Sequence, residues 1–423
     1  MPESAPAIEA KRVLIIAPHS SYRTAAYIQA AQHLNIEVLI ASEGKYSIVG
    51  ALAKGLHIRF SDQDAAFTTI IEAAEVKPFA AVIGTDDSCL ELASRVALHF
   101  SLPHNSPESV RLASRKDLAR ECLSAAHVAV PAFKRVFFNQ DLEPQIIDVE
   151  FPAVLKPIAL SGSRGVIRVN NVDELQQALS RVKNLLDAEQ QLPIELREQV
   201  LIEQYLPGQE VAVEGILNQG QLQILTIFDK PDPLEGPFFE ETYYITPSRH
   251  SLDIQHQLQD VVQKACVAYG LVEGPIHAEC RINDEGVWIL EVAARTIGGL
   301  CAQLLTHSIG QSLEALVLSQ AMGLPLLDNE QRSASGVLMI PIPEAGVFKR
   351  VEGLLQAQRV AGITDINIQI REGYQLVPLP EGASYLGFIF SQADSAKEVE
   401  AALRKAHAHL NIIVTPLFQV NVA

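Results

Sequence analysis

Apolar runs too short for helices alternate with amphipathic stretches through the first hundred residues. Residues 13–17 (VLIIA) read as a buried parallel strand, 18–23 as a loop, the stretch to about 34 as an amphipathic helix, and 38–41 as the next strand. This β-α-β rhythm continues with a helix near 64–75, a strand at 80–84, Thr85-Asp86-Asp87 at its carboxyl end, and a helix over 89–99. An open parallel sheet follows. Such sheets bind ligands beyond the carboxyl ends of their strands, so Ser20, Arg23, Asp86 and Asp87 are candidates. Helix capping would explain the two aspartates equally well, and no G-x-G-x-x-G is present.

A different period appears at residues 276–293. Two alternating stretches, 276–282 and 287–293, flank Asp284-Glu285-Gly286, a three-residue hairpin loop with glycine at its last position. That loop pairs Asn283 with Val287 and sets Glu279 opposite Glu291. It predicts one face of Ile276, Ala278, Cys280, Ile282, Trp288, Leu290 and Val292, and another of His277, Glu279, Arg281 and Glu291. Carboxylates about 5 Å apart repel unless a cation lies between them, and hard oxygen ligands suit Mg²⁺. An exposed acidic pair on a surface hairpin is the plain alternative. Arg295 and the pair Gly298-Gly299 follow closely.

Upstream, a helix starting near Ser114-Arg115-Lys116 places Lys116 and Arg120 one turn apart. The strand FPAVLKP ends in Lys156 and gives way to Ser161-Gly162-Ser163-Arg164-Gly165, then to a strand over 166–169. Two strands joined by a glycine-serine loop can fold over polyphosphate and offer backbone N–H groups; the Walker A pattern is absent. Asn171 and Glu174 form a capping box for a helix to about 186, with 187–198 as connector. The run Val200 to Leu206 includes Glu203, Gln204 and Tyr205, breaks at Pro207-Gly208 and resumes at Glu210, which suits a purine pocket of apolar walls and few polar groups. After a strand at 222–228, DKPDPLEGPFFEETYYITPSR has the character of a substrate loop, with Glu241 for an ammonium and Arg249 for a carboxylate. Helices over about 254–269 and 313–322 bracket the hairpin. From Ser335 onward, VLMIPIPEAG, INIQI, YQLVPLP and YLGFIFS, a helix at 395–408 and the strand IIVTP describe a mixed α/β unit that closes the chain.

Length and charge narrow the function. At 423 residues the chain exceeds one ordinary core. A formal charge of −17 argues against a nucleic-acid or anionic-membrane partner. Five cysteines without metal-ligand spacing read as reduced thiols in a cytoplasmic protein. The opening MPESAPAIEAKR reads as a frayed tail, and the apolar run behind it is too short for a signal peptide or membrane span.

Taken in order, Lys116, Lys156, the SGSRG loop, Glu203 with Glu210, Glu279 with Glu291, and Arg295 resemble the ATP-grasp superfamily over residues 114–328. EVAARTIGG and the closing unit resemble its L-amino acid ligase and carnosine synthase branch. Where the broad superfamily often carries an Asn ligand two residues after the second carboxylate, this chain has Ala293. The resemblance implies an ATP-grasp fold of three units: a preceding open parallel α/β domain (1–113), the ATP-grasp domain (114–328) and a mixed α/β domain (329–423). It implies ATP and Mg²⁺, or Mn²⁺, as cofactors. Lys116, Lys156, Ser161, Gly162, Ser163 and Gly165 would address the phosphates, Glu203, Gln204, Tyr205 and Leu206 adenine, Glu210 ribose, and Glu279 and Glu291 the metal. Arg295, with Lys156, would stabilise the transferred phosphoryl, and Arg295 would also contact the substrate carboxylate. Glu241, Arg249, His277, Gly298 and Gly299 are candidates to meet substrate; a charged loop that bridges to itself would explain Glu241 and Arg249 as well, and His277 could simply orient a metal ligand. The implied activity is carboxylate–amine ligation through an acyl phosphate, on amino acids or similar small molecules, in a protein that could form a homodimer. A biotin-carboxylase-like or purine-biosynthesis-like enzyme, or a non-catalytic ATP-binding regulator, shares the same signature.

Overall fold

A computed structural model describes residues 12–43, 54–325, 333–382 and 384–417. Most of the tail expected to fray lies outside these, but Arg12 already opens the first strand.

Strands β1 (Arg12–Ile16), β2 (Glu37–Ser42), β3 (Lys54–His57) and β4 (Phe79–Gly84) form a parallel sheet in the order β3-β2-β1-β4. Every residue of β1 is buried because both its faces are covered, as unbroken apolar strands require. Leu14 and Ile16 pack with Ile70 and Leu92 from the helices Gln63–Val76 and Asp87–His99. Val13 and Ile15 pack with Tyr27 and with Leu313 and Leu316, some three hundred residues away.

A second, antiparallel sheet has β5 (Phe133–Phe137), β6 (Ala153–Pro157), β7 (Ile167–Val169) and β8 (Gln199–Gln204) in the order β5-β8-β6-β7. The helix Val172–Ala188 lays Leu175, Leu179, Val182 and Leu186 on it. Asn171 caps that helix by accepting from the Glu174 N–H at 3.0 Å. The Glu174 carboxylate returns to the Asn170 N–H, one residue earlier than a strict capping box.

The remaining strands are β9 (Gln209–Asn218), β10 (Gln221–Lys230), β11 (Tyr243–Thr246), β12 (Gly274–Asn283), β13 (Gly286–Ala293), β14 (Ala334–Ile340), β15 (Gly346–Glu352), β16 (Ile363–Ile368), β17 (Gln375–Leu376), β18 (Gly387–Ala393) and β19 (Asn411–Thr415). Eight of them make one antiparallel sheet, β13-β12-β9-β10-β11-β14-β18-β16, and β17-β15-β19 make a small one. The large sheet therefore runs without a break through strands on both sides of position 328.

Several elements escape a periodicity reading. The helices Pro107–Ser114 and Gln303–Ile309 and the strands β5 and β15 were not expected, and β11 lies inside the segment read as a loop. In the hairpin, Glu279 does face Glu291, but Asn283 pairs with Gly286 and a bulge follows Glu279, so Cys280 pairs with Ile289. The bulge changes the phase of β13. Val287 and Ile289 point into the core with Ala278 and Cys280, while Trp288 and Leu290, expected there, do not; Leu290 lines a cavity instead.

Candidate active site

A cavity of about 750 Å³ is walled by all these units: the carboxyl end of β4, the 156–166 segment, the turn after β8, the β12–β13 hairpin and residues 384–388. Its size suits a nucleotide-scale ligand with a second small molecule.

At one end, β6 delivers Lys156, whose Nζ lies 2.7 Å from Glu203 Oε2. The other Glu203 oxygen accepts from Arg120 Nε at 2.6 Å. Burial pushes the Glu203 carboxyl up, but the two cations outweigh it and hold the group down at about 2. Both oxygens of Glu203 are thus engaged in holding Lys156 and Arg120, and the residue lines the cavity at the place where an acceptor for adenine was expected. Lys116 begins the helix Lys116–Ala125, donates to the Leu160 carbonyl at 2.9 Å and sits 3.5 Å from Glu291 Oε2. Ser161, Gly162 and Ser163 line the cavity, and Gly162 and Ser163 turn with φ of 63° and 56°. Gly165 does not reach the cavity; its N–H donates to the Pro380 carbonyl at 2.8 Å. Gln204, Tyr205 and Leu206 form the wall beyond β8.

The floor is acidic. Glu279 and Glu291 are opposite residues of β12 and β13, both partly open to the cavity. Each has a lysine at 3.5 Å, Lys230 for Glu279 and Lys116 for Glu291. His277 bonds the buried Glu214 through Nδ1, and its Nε2 is 3.6 Å from Glu279. Burial disfavours the imidazolium, yet these two carboxylates raise His277 to about 9 and keep it charged at neutral pH. Glu210, the residue expected at ribose, lines the cavity and bonds Lys230 at 2.9 Å with one oxygen and Arg281 at 2.6 Å with the other. Glu241 contacts Lys230 and accepts from the Tyr244 hydroxyl at 2.6 Å. Burial, then repulsion from Glu279, pushes the Glu241 carboxyl up to about 7 against the pull of Lys230.

Two carboxylate sets could hold a metal. Glu210, Glu241 and Glu279 have oxygens within 4.8 Å of one another, but the Lys230 ammonium already contacts all three. Glu279 and Glu291 fit Mg²⁺ better: hard oxygens on adjoining strands, both partly open to the cavity, with their cations no nearer than 3.5 Å where Glu210 has Lys230 at 2.9 Å.

At the far end, Arg295 Nε donates to Asp87 Oδ2 at 2.8 Å, and a second nitrogen donates to the Thr296 carbonyl at 3.1 Å. Arg23 joins Asp86 Oδ1 at 2.6 Å and the Ile297 carbonyl at 3.0 Å, tying the parallel sheet to the turn that carries Gly298 and Gly299. Tyr22, Met339, Tyr385 and Phe388 complete this apolar end. Arg249 is elsewhere; it pairs with Asp229 at 3.0 Å and Glu400 at 2.7 Å and does not reach the cavity, correcting its expected role. Sequence reasoning missed Lys230, Tyr244, Tyr385 and Phe388. Lys230 carried a usable signal, as the lysine ending an apolar strand in FDKP, but the aromatic residues did not.

The family model of the ATP-grasp domain matches residues 149–303, and that of the L-amino acid ligase C-terminal domain 2 matches residues 338–415. The chain thus carries an ATP-grasp domain followed by an L-amino acid ligase C-terminal domain. Enzymes of this family use ATP and Mg²⁺. This ATP-grasp chain superposes on the crystal structure of an L-amino acid ligase from Bacillus licheniformis with a TM-score of 0.83 and 25% identity, over 96% of this chain and 99% of that one. It is 25% identical to carnosine synthase 1 of Homo sapiens over 260 residues, 58% of this chain and 31% of that protein. It is 29% identical to dapdiamide A synthase of Enterobacter agglomerans over 164 residues, 38% of this chain and 37% of that protein. The chain thus spans about a third of the length of these two relatives.

Proposed function

We propose that this chain joins the carboxylate of one amino acid, or similar small molecule, to the amine of another, with ATP converted to ADP and phosphate. One observation carries the reading: a single cavity gathers Lys116, Lys156, Glu279, Glu291 and Arg295 from separate elements. The carboxylate oxygen attacks the γ-phosphorus of ATP and ADP leaves; the amine nitrogen then attacks the acyl carbon, the C–O bond to phosphate breaks, and inorganic phosphate and a proton depart to leave the amide. The protein's part is positioning and charge. Lys116 and Lys156 face the phosphates, under a cover formed by Ser161, Gly162 and Ser163. Glu279 and Glu291 would hold Mg²⁺, which offsets phosphate charge when bound. Arg295, aimed by Asp87, would hold the reacting carboxylate and the moving phosphoryl, and the apolar end of the cavity keeps water from the acyl phosphate. Glu241, His277, Gly298 and Gly299 lie around the space left for the two substrates.

The division of labour that fits this reading is residues 1–113 and 329–423 as substrate walls around a nucleotide-binding 114–328. The five unbridged cysteines support a reducing, cytoplasmic setting, and among the described residues no helix is long and apolar enough to cross a membrane. Phosphate release from ATP across a matrix of amino-acid pairs, with ADP, AMP and products resolved by mass spectrometry, tests the proposal. ADP and an amide product are expected with at least one pair. AMP would reject the acyl phosphate, and ADP with bicarbonate as the only acceptor would favour a carboxylase. No turnover with any pair would favour a nucleotide-binding regulator.

A further inference from the structure

Lys230 ends β10 and is only 3% exposed, yet its ammonium lies inside a ring of carboxylates. It bonds Glu210 at 2.9 Å, contacts Glu241 and stands 3.5 Å from Glu279. The ring of Tyr244 covers it at 5.0 Å. Strand pairing fixes it in depth: Lys230 is opposite Glu210, which is in turn opposite Arg281 on β12, two residues from Glu279. The residues it contacts are fastened from their other sides, Glu210 by Arg281 at 2.6 Å and Glu241 by the Tyr244 hydroxyl at 2.6 Å. His277, bonded to Glu214 of β9, lies 3.6 Å from Glu279. Three carboxylates this close would otherwise attract a divalent cation, since their oxygens lie within 4.8 Å of one another.

We propose that Lys230 is a built-in counter-ion that occupies this acidic ring, barring a metal from Glu210 and Glu241 and presenting Glu279 to Glu291. The lysine is a positioning residue. It leaves the cavity with one metal-holding pair, Glu279 and Glu291, and leaves Glu241 as an oxygen acceptor for an amino group rather than a metal ligand. An ammonium serves here because it is a compact charge with three donors and matches three acceptors, whereas a planar guanidinium would favour one carboxylate at the expense of the others. The inference refines the ligase reading through its metal pair, but its test does not depend on turnover.

Mn²⁺ alone, without nucleotide, is titrated into the full chain and followed by electron paramagnetic resonance. Lys230→Met, which keeps length and removes charge, is expected to bind one more Mn²⁺ per chain than the unsubstituted protein. Lys230→Met/Glu241→Gln should lose that site, and Lys230→Arg should not gain it. Where Lys230→Met is folded by circular dichroism and gains no Mn²⁺, the proposal is overturned. The single variant Glu241→Gln gives a reading even where Lys230→Met does not fold. Its Mn²⁺ isotherm should overlay that of the unsubstituted protein, and weaker binding would mean that Glu241 is a metal ligand, overturning the proposal. Should the protein turn over, Lys230→Met should also raise the Mg²⁺ concentration needed for half-maximal rate at least tenfold while leaving the KM for ATP at saturating Mg²⁺ within twofold. An unchanged Mg²⁺ requirement in a folded variant counts against positioning. Absence of turnover in all forms, with the Mn²⁺ results as expected, would sink the ligase reading and spare this one.

Discussion

Arg295 reaches Asp87 across 208 positions of sequence, and the 2.8 Å bond, with the one to the Thr296 carbonyl, orients a guanidinium that lines the cavity. Burial alone would lower its affinity for a proton, but Asp87 and then Glu291 more than reverse this, so the guanidinium is a permanent charge. On the proposed assignment, Arg295→Ala should lower turnover by roughly 10²–10³ with little change in the KM for ATP. Arg295→Lys should not restore it, because a point charge cannot replace the fork; steady-state kinetics of both variants decides this. Glu203 is a different use of buried charge. Its folded pKa, about 2, lies below the ordinary 4.5, so its contribution is complete above about pH 4.5 and is lost as pH falls toward 2. Glu203→Gln should destabilise the protein at pH 7 by about 3–5 kcal/mol, since it strands Arg120 and Lys156. It should also flatten the fall of stability between pH 4.5 and 3 by up to about 1.4 kcal/mol per pH unit. Urea melts at the three pH values measure both, and parallel pH slopes in the two proteins would contradict the assignment.

At the scale of elements, the glycine-serine turn after β6 is held from outside its own sheet. Gly165 donates to Pro380, Arg164 Nε donates to the Glu381 carbonyl at 3.0 Å, and Arg181 from the helix Val172–Ala188 bonds the Glu381 carboxylate at 2.9 Å. Ser384 and Tyr385, just beyond Glu381 in sequence, line the apolar end of the cavity. On the proposed assignment, the phosphate cover and the substrate wall are therefore joined. Glu381→Ala removes an exposed ion pair worth about 1 kcal/mol or less, so its Tm should barely move. Its KM for ATP should nevertheless rise several-fold, with more ADP formed per amide; an unchanged ADP-to-amide ratio would show that the joint is passive. Gly165→Ala should be more severe. Its φ is +69°, and a Cβ there would lie 2.6 Å from Pro157 Cγ, on the residue following Lys156.

For the molecule as a whole, the continuity of the eight-stranded sheet matters most. Tyr243 and Ile245 on β11 pack in one cluster with Leu338, Ile340, Ile389 and Val399. A chain ending at residue 325 would expose that face and leave β11 as an unprotected edge. Such a fragment should aggregate or lack a cooperative thermal transition in size-exclusion and calorimetric measurements, despite containing all of residues 149–303; a monomeric fragment with a sharp transition would refute this. Local order was legible in the chain itself. The apolar runs of β1, β2 and β4 and the Asn171 cap depend on residues near in sequence, where periodicity and capping govern the backbone; Glu279 faces Glu291 as expected only because the bulge after Glu279 offsets a turn one residue shorter than the sequence reading. The phase of β13 was not legible, because one bulge after Glu279 reverses which of Trp288, Ile289 and Leu290 is buried. The partners of Glu203, Glu210 and Arg249 were also hidden, since a carboxylate's pattern says that it wants a cation but not which one arrives. The sequence by itself determined the β-α-β rhythm of the first hundred residues, the family signature and the acidic hairpin. Only the tertiary structure decided which charges are spent on each other and which remain facing the cavity, because ion pairing depends on distances that close only when strands from four parts of the chain meet.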